Sequence, residues 1–475
     1  MTEITNQTML FQDFFDKKVM VDFNGGETTS DAGLLFLRQV ESQIGIINHV
    51  ADAISDNRHP SYIKHKIIEL LKQRVFQIAA GYEDGNDCTS LKDDPLLKIA
   101  CEKEDALASQ PTMCRFENAP SMTTLYRIGQ VLVDVFINSY DKPPQSIILD
   151  IDDTGDPTYG SQQLSLFNAY HDCYCYMPLH IYEGKSGKLI SAILRPGKRP
   201  SGRETVSILR RLVKRIRKAW PNVHILLRGD AHFSSPAIYD FCDENDIKYV
   251  LGFKSYQPLA QMAESLIAKA RELFEYSKRP VKIYNELSYQ AASWTKANRI
   301  IYKAEYNDKG SNLRFIITNL KHNHYKFIYK TVYCGRGAME LMIKEHKNHL
   351  HSDRTSCSSF QANQFRLFMH SMAYILMHTL RQQHLKNTEL AKAQFDTIRL
   401  KLIKIGAQVK LLSTRIKIHL SSAYPLQNDF MKIWNSCRSP GYVWLKNRLT
   451  DYFNYTKLMQ WIGTLQIAKK AKTFL

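Results

Sequence analysis

No stretch of this 475-residue chain stays apolar long enough to cross a bilayer. The longest candidate, Phe365 to Leu380, is interrupted by Arg366, His370 and His378, whereas a spanning helix needs about 20 nearly unbroken apolar residues. The start, Met-Thr-Glu-Ile-Thr-Asn-Gln, has neither a basic opening nor an apolar core, so no secretory signal is expected. Nine cysteines are scattered without a Cys-x-x-Cys pair, which argues against zinc spacing and a disulfide framework. A reducing, cytoplasmic setting without membrane attachment is the expectation. His346, His349 and His351 cluster, but no cysteines or carboxylates complete a metal signature around them, and they read as solvated.

Acids are also in short supply. The 46 Asp and Glu face 64 Lys and Arg, a formal net charge of +18. With 44% hydrophobic and 23% charged residues the chain is a folded protein with room for roughly three domains. The surplus of positive charge favours a polyanion or an acidic membrane as partner. A generally basic but uninvolved surface is the bland alternative. From Leu341 to the end there are 21 basic against 6 acidic residues, and from Arg195 to Trp220 ten basic residues against Glu204 alone.

Residues 1–140 read as mostly helical, with candidates at 32–43, 62–80, 94–101, 112–117 and 122–139. Lys142-Pro143-Pro144 marks a boundary. Beyond it come strands at Ser146–Ile151, Tyr174–Tyr182 and Lys188–Leu194, the last two joined by a Gly-rich hairpin turn. A basic helix at Glu204–Trp220, a strand at Val223–Leu227, a helix from Ser235 and a strand at Lys248–Phe253 complete a mixed α/β pattern. Residues 255–330 look like a β-rich insertion: a charged helix, then strands at 282–289, 299–306, 313–319 and 327–332. From 361 to 475 the chain reads as helical and basic, ending near Lys-Lys-Ala-Lys.

Two acidic strand ends stand out. The first strand runs into Asp150-Ile-Asp152-Asp153-Thr154, with Asp156 close behind; four carboxylates in seven residues need a cation or strong hydrogen bonding. The strand at Val223–Leu227 runs on to Asp230. If these two strands are neighbours, Asp152 and Asp230 converge. The bland reading makes Asp150, Asp153 and Asp156 turn or cap residues, and Asp230 a cap on the next helix. A third feature is the stretch Tyr333-Cys-Gly-Arg336-Gly-Ala-Met-Glu340, continued by Lys344 and Lys347. In a helix, Arg336, Glu340, Lys344 and Lys347 share a face, one carboxylate within a basic stripe. Alone it reads equally as a solvated face. Joined by Glu340, the aspartates could hold two divalent ions about 3.5–4 Å apart, the arrangement suited to a phosphodiester.

In these residues the chain resembles the DDE transposases of bacterial insertion sequences, which have a ribonuclease H-like core. Tyr333, Arg336, Glu340 and Lys347 reproduce the Tyr-Arg-Glu-Lys spacing of the group-four superfamily. Phe23-Asn-Gly-Gly-Glu-Thr-Thr-Ser-Asp-Ala-Gly33, Ala79-Ala-Gly-Tyr-Glu-Asp84, Asp353-Arg-Thr-Ser-Cys357 and Ala362-Asn-Gln364 are similar to the insertion-sequence thirteen-eighty family. The resemblance implies an α/β, ribonuclease H-like catalytic domain over 141–360 with its insertion at about 255–330. It lies between a helical DNA-binding region at 1–140 and the helical region 361–475. It implies Asp152, Asp230 and Glu340 as catalytic and metal-holding acids, with Asp150 and Asp153 as rivals for the first place and Glu345 out of spacing. It further implies two Mg²⁺ or Mn²⁺ ions, and Tyr333, Arg336, Lys344 and Lys347 on DNA phosphates. The expected activity is metal-dependent hydrolysis at terminal inverted repeats, then joining of the 3′-OH to target double-stranded DNA. A homodimer would hold the paired ends.

Overall fold

The computed structural model describes residues 8–198, 201–292 and 294–438. The Lys-Lys-Ala-Lys tail lies outside them. The chain divides into two compact units, Met1–Phe116 with Leu376–Leu475, and Glu117–Ile375.

The first unit is helical around buried Leu37, Val40, Ile47, Leu71, Val75 and Phe76. Its helices include Leu34–Ile44, Ile46–Ala53, Ile67–Ala80 and Pro95–Cys101. Asp94 caps the last of these by accepting from the Leu97 amide at 2.7 Å, and Pro95 fits the first turn, where no amide is needed. A buried arginine, Arg74, donates to the carbonyls of Tyr82 and Glu83 and so closes the chain exit after Gly81. The expectation of an all-helical region from 361 onward is corrected by a hairpin, Ala407–Leu412 with Arg415–Leu420, joined to Thr28–Thr29. Apolar and basic residues alternate in Gln-Val-Lys and Arg-Ile-Lys-Ile, which is the period of a strand and not of a helix.

The second unit is built on an eight-stranded mixed sheet: β1 (Ser146–Asp153), β2 (Leu179–Glu183), β3 (Leu189–Ile193), β4 (His224–Gly229), β5 (Ile247–Phe253), β6 (Val281–Tyr289), β7 (Asn298–Asn307) and β8 (Gly310–Thr318). Their order is β6-β7-β8-β5-β4-β1-β2-β3. Strands β1, β4 and β5 are parallel, and all other pairings in this sheet are antiparallel. The strands of the 255–330 segment therefore extend the sheet itself, β8 pairing with β5.

One sheet face is apolar. Ile147, Leu149, Ile151, Ile225 and Leu227 pack with the buried stripe Val206, Leu209, Val213 and Ile216 of α1 (Gly202–Ala219). Ser201 caps that helix, accepting from the Glu204 amide at 3.2 Å. The residues between them on the strands, Asp150, Asp152 and Arg228, point to the other face, because strand side chains alternate. The carrier of Gln364, the helix Phe360–Thr379, borders β3: the amide side chain accepts from Leu194 N at 2.7 Å and donates to Ala192 O at 3.3 Å.

Three further expectations change. The run Tyr174–Tyr182 is two strands, since Pro178 has no amide to continue a ladder; Cys173–Tyr176 joins a small sheet with Asp156–Pro157 and Leu166–Asn168. Residues 327–332 are helical, not extended, within Tyr325–Phe327 and Ile328–Tyr333. Their β-branched and aromatic content mimics a strand, yet Ile328, Tyr329, Val332 and Tyr333 form a helical stripe packed by Val250, Ile301 and Ile316. Finally, His346 and His349 are buried rather than solvated. Nδ1 of His346 lies 3.4 Å from the Tyr182 hydroxyl and Nε2 lies 3.4 Å from that of Ser371. Burial holds its pKa well below the usual histidine value, so the ring is neutral.

Candidate active site

Parallel pairing of β1 and β4, with Asp150 opposite Arg228, sets the geometry. Two residues further along each chain come Asp152 and Asp230, at neighbouring strand ends. The Asp230 carboxylate accepts from the His232 amide at 2.9 Å. Its charge reaches Asp152. Burial, opposed by Arg336 and reinforced by Asp230 and Asp153, raises the Asp152 carboxyl to about 6. Arg336 Nη1 donates to Asp152 Oδ2 at 2.8 Å. Tyr333 closes the other side: a Cβ on Gly252 would stand 2.8 Å from its hydroxyl and 3.0 Å from the Asp230 carbonyl carbon. Only glycine leaves the room that this phenol occupies.

The rival aspartates are engaged elsewhere. Asp150 is fully buried and bidentate with Arg228, both contacts at 2.6 Å. Asp153 accepts from Arg195 at 2.8 Å, and His232 Nδ1 lies 3.3 Å from its other oxygen. Burial would raise the Asp153 carboxyl, but His232 and Arg195 outweigh it and hold the pKa below the usual value. Arg195 and His232 were not singled out from sequence. Both act across long sequence separations, and the only local hint was His232 standing two residues past Asp230.

The Tyr325–His349 segment does not follow one 3.6-residue period. A wide turn over Ile328–Tyr333, a tight one over Cys334–Gly337 and another wide one over Glu345–His349 rotate its faces. Arg336 and Lys347 therefore turn toward the sheet, while Glu340 and Lys344 are exposed. Lys347 donates to Thr154 Oγ1 at 3.1 Å and to the Gly155 carbonyl, and pairs with Asp156 at 3.2 Å. It pins the loop that follows Asp152. Glu345 is buried. Among the described residues no three His, Cys, Asp or Glu side chains are gathered closely enough to hold a metal ion, so Glu340 does not join Asp152 and Asp230 in this conformation.

The sequence profile described as "Transposase DDE domain group 1" matches residues 11–439. The chain belongs to that family. No curated protein matches it. Among solved structures, one match is described as a cryo-EM structure of the piggyBac transposase synaptic complex with hairpin DNA. It is 11% identical, with a TM-score of 0.39, and covers 90% of this chain and 85% of that one.

The aspartate pair fits a divalent cation: two hard oxygen donors share a half-buried anionic site in which Asp152 already leans on a guanidinium. Asp152 would be deprotonated on binding. Because its folded pKa lies above the unfolded value of about 3.9, its stabilising contribution is full below about pH 4 and lost as pH rises through about 6. A cation restores what deprotonation removes. Added Mg²⁺ or Mn²⁺ should therefore raise the melting temperature more at pH 8 than at pH 5. In Asp152→Asn the difference should vanish, as read by scanning fluorimetry.

Proposed function

We propose that the chain is a DNA transposase of the insertion-sequence thirteen-eighty type, cutting the ends of a bacterial element and joining them to target DNA in the cytoplasm. The observation that carries the reading is the pair Asp152 and Asp230 at the ends of adjacent parallel strands, with Arg336 set against them in a member of the DDE transposase family. The strand order β3-β2-β1-β4-β5, with β1, β4 and β5 parallel, supports a ribonuclease H-like core.

Two Mg²⁺ or Mn²⁺ ions held by Asp152, Asp230 and Glu340 would supply the Lewis acidity for phosphodiester attack. The protein's own groups do the placing. Asp152 and Asp230 fix the site to the rigid sheet. Arg336, seated against Asp152, carries a planar fork suited to bidentate contact with a phosphate. Tyr333 offers a hydroxyl beside Asp230. Lys347 keeps the 154–156 loop in place. Glu340 and Lys344 stand exposed on the same segment, open to approaching DNA. Water then breaks the P–O3′ bond at the element end, and the released 3′-OH attacks a target phosphate, expelling a target 3′-oxygen. Residues 1–140 and the basic region 361–475 recognise the inverted repeats, and two copies pair the ends.

The test uses purified protein, Mn²⁺ or Mg²⁺, and duplexes carrying the DNA that flanks the coding frame. Nicks leaving a 3′-OH at the inverted repeats, abolished by chelation, are expected, with binding that weakens steeply with salt. Cleavage that persists in chelator, or none at those ends, would overturn the reading.

A further inference from the structure

Two positions behind the acid pair, Asp150 and Arg228 form an ion pair that is almost wholly inaccessible to solvent, with side-chain exposures of 0% and 4%. A buried ion pair contributes little to stability compared with apolar residues of similar volume. Its cost is unexplained unless it fixes something. Here it touches three pieces of the site. First, Asp150 and Arg228 are direct cross-strand neighbours in the β1–β4 ladder. A slip of one residue would turn Asp152 and Asp230 to opposite sheet faces, and it would also strand two buried charges. Second, Arg228 Nη1 donates to the Val332 carbonyl at 2.8 Å, immediately before Tyr333. Third, the guanidinium is enclosed by two glycines. A Cβ on Gly184 would come within 2.6 Å of Nη2, and one on Gly335 within 2.8 Å of Nη1. Gly335 adjoins Arg336.

We propose that Asp150 and Arg228 are a positioning pair: they lock the strand register that brings Asp152 beside Asp230, and they anchor the Tyr333–Arg336 turn above it. Neither touches the reacting phosphate. Arg228 acts through Arg336, and Asp150 holds the Arg228 fork in the one orientation that reaches both the ladder and the Val332 carbonyl. This rests on the transposase reading for its kinetic consequence, though not for its structural one.

Arg228→Lys keeps the charge and loses the fork. At saturating DNA its cleavage kcat should fall at least tenfold while the Kd for end DNA stays within twofold. Arg336→Lys should be slow as well, and the double variant no slower than the slower single one, because one route is cut twice. Asp150→Leu with Arg228→Met replaces the pair by apolar volume; it should melt at or above the wild-type temperature and still cleave at least tenfold more slowly. Wild-type cleavage by the apolar variant, or multiplicative losses in the Lys series, would overturn the proposal. A readout independent of catalysis decides the matter even if the wild type cuts no DNA. Amide exchange across residues 332–340 should quicken at least tenfold in Arg228→Lys, with exchange in β5 unchanged. Unaltered exchange in that turn would refute the anchor.

Discussion

Asp152→Asn and Asp230→Asn should each reduce cleavage of element ends by about 10²- to 10³-fold, the loss typical of removing one preorganised electrostatic group from a reaction centre. Each substitution removes one negative charge while keeping the shape of the side chain, so the fold survives. The local contacts survive with it. The amide oxygen introduced by Asp152→Asn can still accept from Arg336, which in the wild type donates at 2.8 Å. The one introduced by Asp230→Asn can still accept from the His232 amide. Both variants should bind end DNA as tightly as wild type or tighter, since a repulsive carboxylate has been removed beside phosphate. Glu340→Gln should lose cleavage to the same extent. Its exposure in this conformation makes that the sharper trial: a Glu340→Gln enzyme that cuts at the wild-type rate would leave the aspartates without their expected third partner. Single-turnover nicking with pre-bound duplex separates the chemical step from binding in all three.

Glu117→Ala should destabilise the protein by about 3–5 kcal/mol, the usual consequence of removing one member of a buried ion pair. Arg366 Nη1 meets Glu117 Oε2 at 3.1 Å with side-chain exposures of 5% and 1%, and its Nε donates to the Arg354 carbonyl at 3.1 Å. Glu117 thereby ties the Asp353-Arg-Thr-Ser-Cys357 segment to the start of the second unit. Denaturant unfolding checks the size of the effect. Replacing both residues, Glu117→Leu with Arg366→Met, should recover most of the loss, because the penalty lies in the uncompensated ion rather than in the missing attraction.

The strand-end placement of Asp152 and Asp230 was legible because strand periodicity and turn residues are local signals. An apolar run that ends in Asp-Ile-Asp-Asp or Arg-Gly-Asp announces a strand end, but that β1 and β4 are parallel neighbours was only a condition in the sequence and is shown by the ladder. The broad class, a DDE transposase, was legible from Tyr333, Arg336, Glu340 and Lys347. Their faces were not. A constant helical pitch put the charged residues on one stripe, whereas the wide and tight turns at 328–349 send Arg336 and Lys347 inward and leave Glu340 outward. Long-range pairs were equally hidden: nothing near Asp153 in the sequence points to Arg195, 42 residues away. The histidines at 346 and 349 looked solvated because their neighbours are Lys and Asn. For His346 the enclosing groups are Tyr182 and Ser371, which only the folded chain brings near.

The side chain of Gln364 has a bearing on how copies of this protein can meet. By occupying backbone groups beside Ala192 and Leu194, it caps one border of the sheet with a polar plug, and an incoming strand finds no continuous ladder there. At the opposite border, Val281–Tyr289 pairs with β7 alone among the described residues. Within this eight-stranded sheet the open ladder of the described residues is thus the Val281–Tyr289 rim, far along the sheet from the acid pair.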